Sequence, residues 1–371
     1  MRRWPAFVCM LGLGGLLSVV ASAPALACGG LIGPNGGVQL QRTTTLVGYH
    51  NGIEHYVTAF TFTGGTGNFG SITPLPAVPT SIEKGGDWTL QRLEAETSPR
   101  PAFNDVEAAT AAAPAPAQVL QQATIGALNI TVLKGGGYAV GTWAKDNGFS
   151  LPPDAPALLD YYANRSQIFM AAKFNAEQAA ALGQGTGAVT SIQLTIPVAN
   201  PWVPLAILGL GKDATQLIDA DIYLMTDQKP ALLPAPVNTA SGVAAASGLT
   251  LAASEQASPS LISDLRADQG GSWIPAGGMW LTYLRLDTAA ADLHYDLAID
   301  ASGQGTPSLV AAGLAPATGT PQLPLAATAP DLSGDPWIWL VTGAGVIVLL
   351  ATWGLTYRRT RPQLPGGSSR A

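Results

Sequence analysis

The sequence predicts an α+β chain: a β-rich extracellular domain with mainly antiparallel strands and a few short helices, plus one C-terminal transmembrane helix. Three observations predict it. Apolar runs at 8–20 and 337–357 bracket the chain, each beside arginines. Between them the chain is rich in turn formers, with 43 Gly and 29 Pro overall, and only 11% of its residues are charged against roughly 25% in typical soluble domains. Within that middle part, Asn51-Gly52 lies between two β-rich segments, the strongest two-residue signal for a hairpin.

The N-terminus reads as a cleaved signal. Arg2 and Arg3 precede the apolar run 8–20, and small residues lead to Ala25-Leu26-Ala27, an A-x-A cleavage pattern. The run is shorter than the roughly 20 residues a membrane span needs. Residues 1–27 are therefore expected to leave, with Cys28 first in the mature chain. A lipoprotein signal would also leave a cysteine there, but Ala25 stands where such signals carry Leu. Only Cys9 and Cys28 occur, and Cys9 leaves with the signal, so the mature chain has no internal disulfide. The domain 28–313 is long enough to be held by apolar burial alone.

The first elements after the signal are two strands over 43–62, joined by Asn51-Gly52 in a type I′ turn that needs positive φ at both positions. Pairing His50 with Ile53 sets Leu46 opposite Val57 and Val47 opposite Tyr56, with apolar residues on both faces. A strand over 69–79 runs into Pro74, Pro76 and Pro79, which belong at a sheet edge or where the chain leaves the sheet. Asp87 is a candidate cap for a short helix carrying Leu90 and Leu93. Residues 98–118, rich in Ala and Pro, read as a loop.

Strands are expected at 128–133 and 138–143, separated by Gly135-Gly136-Gly137. A helix should run from Asp154 through Tyr162 with proline in its first turn. Further strands are expected at 167–174, 191–196, 216–226 and 279–287. Residues 230–260, full of Ala, Ser and Pro, read as a long loop. Residues 314–336 form a Pro/Ala/Thr-rich stalk.

The stretch 337–357 is apolar and long enough to cross the hydrocarbon core as a helix. Trp337 and Trp339 mark one edge, Trp353 and Tyr357 the other, as an aromatic belt does. Arg358, Arg359, Arg361 and Arg370 follow, so the basic tail 358–371 is expected in the cytoplasm and everything before Trp337 outside. The reading is a single-pass protein of the cell membrane, anchored in the lipid bilayer. Residues 325–329 resemble a sortase LAxTG motif, with Ala329 replacing the glycine at the cut.

Charge separates by compartment. Residues 28–336 hold all 24 acidic residues and, with Arg2, Arg3 and the four tail arginines set aside, 12 of the 18 basic ones, a net charge near −12. Such a domain lacks the basic footprint of a nucleic-acid binder. The partners it suits are an envelope protein or a cell-wall ligand.

Few residues suggest chemistry. His50 and His55 flank the predicted turn and would lie diagonally on one face, about 7 Å apart, where two imidazoles could share a metal. Zinc needs at least one more protein ligand, and Glu54 points to the opposite face. His294 stands near Asp292 and Asp296, which could orient an imidazole for base chemistry. Asp219 and Asp221 share a face, short of the 6 to 8 oxygens that calcium takes. Trp88, Trp143, Trp202, Trp273 and Trp280 could line a ligand groove, though core positions suit them better. No G-x-S-x-G or Walker motif occurs. The pattern supports no cofactor and assigns no catalytic or metal residue, leaving His50 and His55 as the candidates to follow.

Several local patterns recur in a fixed order: Ala27-Cys28-Gly29-Gly30, then Pro74-Leu75-Pro76-Ala77-Val78-Pro79, then Trp143 with Asn147-Gly148-Phe149. Tyr161 or Tyr162, the strand from Phe169 to Phe174, and Trp280-Leu281-Thr282-Tyr283-Leu284 complete the set. Together they resemble the bacterial family labelled Domain of Unknown Function 2330, over residues 27–285. Members often carry a second cysteine soon after Cys-Gly-Gly, where this sequence has Ile32-Gly33-Pro34. The resemblance implies an exported, membrane-associated protein and supplies no activity or site residues. The function expected is a cell-surface interaction or structural module. An extracytoplasmic hydrolase or metalloenzyme with an unrecognised site is the alternative.

Overall fold

Alternation along the strands puts apolar side chains on both faces of the main sheet, and the fold follows by covering both. The computed structural model describes residues 25–26, 30–32, 42–60, 70–97, 117–182, 190–239 and 245–317, all on one side of a division of the chain at residue 325. The expected stalk from 318 on, the spanning helix, the tail, and most of the signal lie outside the described residues. Among the described residues no helix is long and apolar enough to cross a membrane.

The predicted hairpin is present. β3 (Arg42–His50) and β4 (Ile53–Phe60) pair with His50 opposite Ile53, Leu46 opposite Val57 and Val47 opposite Tyr56. Asn51 has φ 51° and Gly52 φ 78°, the turn geometry that Asn-Gly favours. This hairpin is the middle of an eight-stranded sheet. On one side β4 pairs with β10 (Thr190–Pro197), which pairs with β6 (Ser81–Lys84). On the other, β3 runs parallel to β12 (Leu217–Thr226), followed by antiparallel β17 (Trp280–Ala289) and β16 (Leu249–Gln256). The short β1 (Ala25–Leu26), on the signal side of the expected cleavage point, lies parallel to β3.

A second, five-stranded sheet has the order β2 (Gly30–Ile32), β5 (Gly70–Leu75), β9 (Ile168–Phe174), β8 (Leu128–Lys134), β7 (Gln118–Ile125). Pairing of β2 stops at Ile72, so Pro74 sits where β5 has become an edge on that side. Smaller sheets join β11 (Trp202–Val203), β18 (Leu297–Asp300) and β13 (Ala231–Leu233), and β14 (Ala235–Pro236) with β15 (Ala245–Ala246).

The layers are helix, sheet, sheet, helix. Between the sheets lie Val47, Tyr56, Ile222 and Leu224 from one and Ile130, Val132, Met170 and Phe174 from the other. The opposite face of the large sheet carries Leu46, Val57, Tyr223 and Tyr283 against α1 (Thr89–Thr97) and α5 (Pro259–Ala267). The opposite face of the five-stranded sheet carries Ile72, Leu133 and Phe169 against α2 (Gly137–Asp146) and α3 (Ala155–Ala163). A short α4 (Ala176–Ala181) follows β9. The fold is thus α+β and β-rich, with mainly antiparallel pairing and few helices.

Three expectations are corrected. Residues 138–143 form a helix: Val140, Trp143 and Ala144 share one buried face, and Gly148 at φ 80° ends it, with Phe149 N–H donating to Ala144 O at 2.9 Å. The start of α2 also abuts α3 so closely that a Cβ on Gly137 would stand 2.2 Å from Asp160 N, which the glycine run permits. The described part of residues 230–260, expected as one long loop, holds β13, β14 and β15. It also includes β16, an edge strand whose Ala and Ser residues need little burial. Asp87 does not cap α1, since its carboxylate pairs with Lys84. Asp268, after α5, takes that role by accepting from Trp88 N at 3.1 Å and Thr89 Oγ1 at 2.7 Å.

Candidate functional site at the hairpin tip

The Asn-Gly turn fixes which side chains meet at the end of the large sheet. Because β3 and β12 are parallel and Thr226 is level with Tyr49, the next residue of each chain segment emerges side by side. Asp227 Oδ1 lies 2.6 Å from His50 Nδ1, and Asn51 Nδ2 lies 2.9 Å from His50 Nε2. In the neutral ring, the carboxylate calls for the proton on Nδ1, leaving Nε2 as an acceptor for the Asn51 amide. The pair is half open to solvent, with side-chain exposures of 27% for His50 and 45% for Asp227. It is a carboxylate-oriented imidazole, the arrangement that prepares a base.

His55 has a different fate. It stands opposite Gly48, and the Trp273 indole stacks on it with ring centroids 4.4 Å apart and planes 7° from parallel. Gly48 makes room for that indole: a Cβ there would fall 2.0 Å from Trp273 Cη2. His55 is buried and its Nδ1 has no hydrogen-bond partner among the described residues. Burial, followed by the nearby His50, lowers its pKa to about 4. The structure therefore does not bring the two imidazoles onto one ion, since His50 serves Asp227 while His55 is sealed under Trp273. Among the described residues no group of three His, Cys, Asp or Glu side chains is placed to hold a metal ion.

Glu54 points to the opposite face, as its register requires, level with Tyr49 on β3 and Ile196 on β10. It is wholly buried, and neither carboxyl oxygen has a partner among the described residues. Burial pushes its pKa up to about 8, so the group is mostly neutral at pH 7. The neighbouring Tyr49 hydroxyl lies 3.0 Å from both Val198 O and Ala199 O and donates to that loop. Its pKa is raised by burial, then by Glu54, Asp227 and Asp300.

The other candidates separate. His294 and Asp292 are exposed, whereas Asp296 is buried. Asp296 Oδ2 accepts from Arg165 Nη2 at 2.5 Å, and Oδ1 accepts from Tyr162 Oη at 2.8 Å, Leu205 N at 2.7 Å and Ala206 N at 2.9 Å. The Arg165 guanidinium also lies over the rings of Tyr161, Tyr162 and Trp202 at 4.1, 4.7 and 5.2 Å. Asp221 accepts from Tyr283 Oη at 2.6 Å. The tryptophans line no common groove: Trp143 and Trp202 are in the outer helical core, Trp273 covers His55, Trp280 donates to Ser254 Oγ at 3.0 Å, and Trp88 is 38% exposed. Sequence reasoning missed Asp227 and Arg165, and it named Trp273 as a groove or core residue without linking it to His55. Asp227 is 177 positions from His50, and no local spacing signals a parallel pairing between such distant strands.

A layered α+β domain with a partly open imidazole–carboxylate pair at a hairpin tip defines no reaction class by itself. The family model described as an uncharacterized protein conserved in bacteria (DUF2330) matches residues 22–268, and the chain belongs to that family. Among curated proteins no relative matches. Two solved structures of baculovirus P35 are similar in chain course. One, of a mutated P35 after caspase cleavage, has 10% identity and a TM-score of 0.39, covering 70% of this chain and 99% of its own. The other, of P35 itself, has 9% identity and a TM-score of 0.36, covering 71% and 97%.

Proposed function

We propose that the chain is a membrane-anchored cell-surface protein whose β-rich domain is an interaction or structural module. In this reading the signal 1–27 is removed and the domain 28–313 is displayed outside on the stalk 314–336. The helix 337–357 holds it in the lipid bilayer, and the tail 358–371 is cytoplasmic. The observation that carries the display role is the structural use of three buried carboxylates. Asp296 ties α3 to the segment around Leu205, Asp268 ties α5 to α1, and Asp221 takes the Tyr283 hydroxyl. Groups so engaged make a rigid scaffold. Partners fitting an acidic domain are an envelope protein or a cell-wall ligand, and not nucleic acid.

The test uses intact cells. External protease should remove the region before Trp337 and spare a tail epitope, and photo-cross-linking from surface positions should yield discrete adducts with an envelope component. An accessible tail epitope overturns the orientation, and the absence of adducts from every position tried overturns the interaction role.

One observation favours a second reading, an extracytoplasmic hydrolase: the 2.6 Å contact between His50 and Asp227. There His50 Nε2 is the general base and Asp227 holds its tautomer. Turnover of an ester, peptide or glycan by the full chain, lost in both His50→Gln and Asp227→Asn, would bring this reading forward.

A further inference from the structure

The open edges of the two sheets are treated unequally. At the edge strand β16, Leu249 O accepts from Val237 N at 2.9 Å, while the Asn238 side chain takes both Leu251 N–H and Leu251 O, at 2.8 and 2.7 Å. This strand also carries Glu255. The edge strand β6 carries Glu83 and Lys84. Capping and charge are the usual protections of a free edge. In contrast β7, Gln-Val-Leu-Gln-Gln-Ala-Thr-Ile, has no charge, no proline and no glycine, and among the described residues it pairs with β8 alone. Gln118, Val119, Gln122 and Thr124 are exposed, Val119 by 41%. A bulge between Val119 and Gln121 and the Gln121 amide on Pro79 O, at 2.6 Å, fix its first half, and from Gln121 to Ile125 the register on β8 is unbroken.

Register identifies the groups at that free edge. Ile125 and Leu128 flank a two-residue turn at Gly126-Ala127, so they form the bonded pair beside it and bonded pairs recur at every second residue. Ala123 and Gln121 therefore bond to β8. Gln122 and Thr124 turn their backbone N–H and C=O outward, and no described residue takes them.

We infer that β7 pairs with β7 of a second copy of this chain, antiparallel about a two-fold axis at Ala123. In that register Gln122 of each copy faces Thr124 of the other, and each outward N–H meets an outward C=O. Charge argues for a second copy. The exported region carries a net charge near −12, so two copies repel over most of their surface, yet residues 108–133, including β7 and nearly all of β8, contain no charged residue. A single strand pair falls short of the roughly 1,000 Å² of a stable interface. The contact is therefore weak in dilute solution and forms where anchoring confines the chains and raises their effective concentration. This inference rests on the interaction-module reading and gives it a partner.

The test is oxidative cross-linking of the full-length chain in its membrane. Across the two-fold axis, Ala123 faces its own copy as a non-bonded pair with Cα atoms about 4.5 Å apart, within disulfide reach. Ala123→Cys should give a dimer absent from the wild type, joined through the introduced thiols by peptide mapping. Ser302→Cys, exposed elsewhere, should not. Adding Gln122→Lys and Thr124→Lys, both at exposed positions, sets like charges opposite each other and should cut the dimer about tenfold. No dimer with Ala123→Cys, or one indifferent to the lysines, overturns the pairing. A cross-link from this position to a different protein overturns self-pairing but upholds the interaction reading. Absence of any adduct here, with none from other surface positions, defeats both.

Discussion

Replacing Glu54 by Gln should change how stability depends on pH, because the buried carboxyl titrates far from its ordinary value. In the folded chain it holds its proton to about pH 8, whereas the unfolded chain releases it near 4.5. Between those values the unfolded state binds fewer protons, so stability falls as pH rises. Over the full window the loss is about 5 kcal/mol, at 1.36 kcal/mol per unit. His55 works in the other direction. Its folded pKa of about 4 lies below the ordinary 6.5, so stability falls as pH drops between those values. From 4.5 to 6.5 the two slopes cancel, and their joint cost stays near two units, about 3 kcal/mol. Above 6.5 only Glu54 acts, and stability should decline by about 1.4 kcal/mol per unit until pH 8. Glu54→Gln abolishes that decline and leaves the acid-side loss from His55. The assay is urea unfolding of the full-length chain in detergent from pH 5 to 8, followed by tryptophan fluorescence, with the wild type minus Glu54→Gln difference removing every other titration. A difference that stays constant over this range would refute the reading of Glu54 as a buried neutral acid.

Three further outcomes follow from named contacts. Trp273→Ala uncovers His55, whose pKa, read from its ring proton shifts by NMR, should rise from about 4 toward 6.5; a value that stays low would mean that Trp273 is not what buries it. Asp268→Ala removes the side chain that caps α1 and should cost about 1–2 kcal/mol in chemical denaturation, while Asp87→Ala, losing only an exposed ion pair, should cost below about 0.5 kcal/mol. Asp296→Ala leaves Arg165 buried without its carboxylate and should cost about 3–5 kcal/mol by the same measurement; adding Arg165→Met should recover only the part due to the unpaired charge, because Tyr162 Oη and the Leu205 and Ala206 N–H groups still lack their acceptor.

Local chemistry made part of the fold legible. Asn51-Gly52 dictates a turn that fits few other geometries, so the register of β3 on β4 followed from two residues, and with it the opposite orientations of Glu54 and His55. The strands at 128–134, 168–174, 190–197, 217–226 and 280–289 were readable because β-branched and aromatic residues cluster there between turn formers. The same rule failed at 138–143, where Tyr138, Val140 and Thr142 alternate like a strand. Tyr138 is 82% exposed, whereas Val140, Trp143 and Ala144 meet the core, so a period of 3.6 overrode a period of 2. At β16 the reading failed in reverse: half-exposed edge positions accept Ala, Ser and Thr, and weak apolarity looked like a loop.

The candidate site was legible only halfway, for a reason rooted in topology. A hairpin brings together residues close in sequence, so His50, Glu54 and His55 could be placed in advance. A parallel neighbour cannot be reached by a tight turn, and the partners that decide their chemistry come from β12 and from the segment after α5. Asp227 makes His50 an oriented base, Trp273 removes His55 from solvent, and Glu54 is wholly buried on the opposite face. Three ionisable residues within one hairpin thus receive an open, a sealed and a neutralised setting. A glycine at position 48, ordinary in the sequence, is what admits the indole: with alanine there the ring must move, His55 would be exposed, and the acid side of the stability profile would flatten. Gly48→Ala and Trp273→Ala should therefore move the His55 titration in the same direction, and the double variant should move it no further than Trp273→Ala alone.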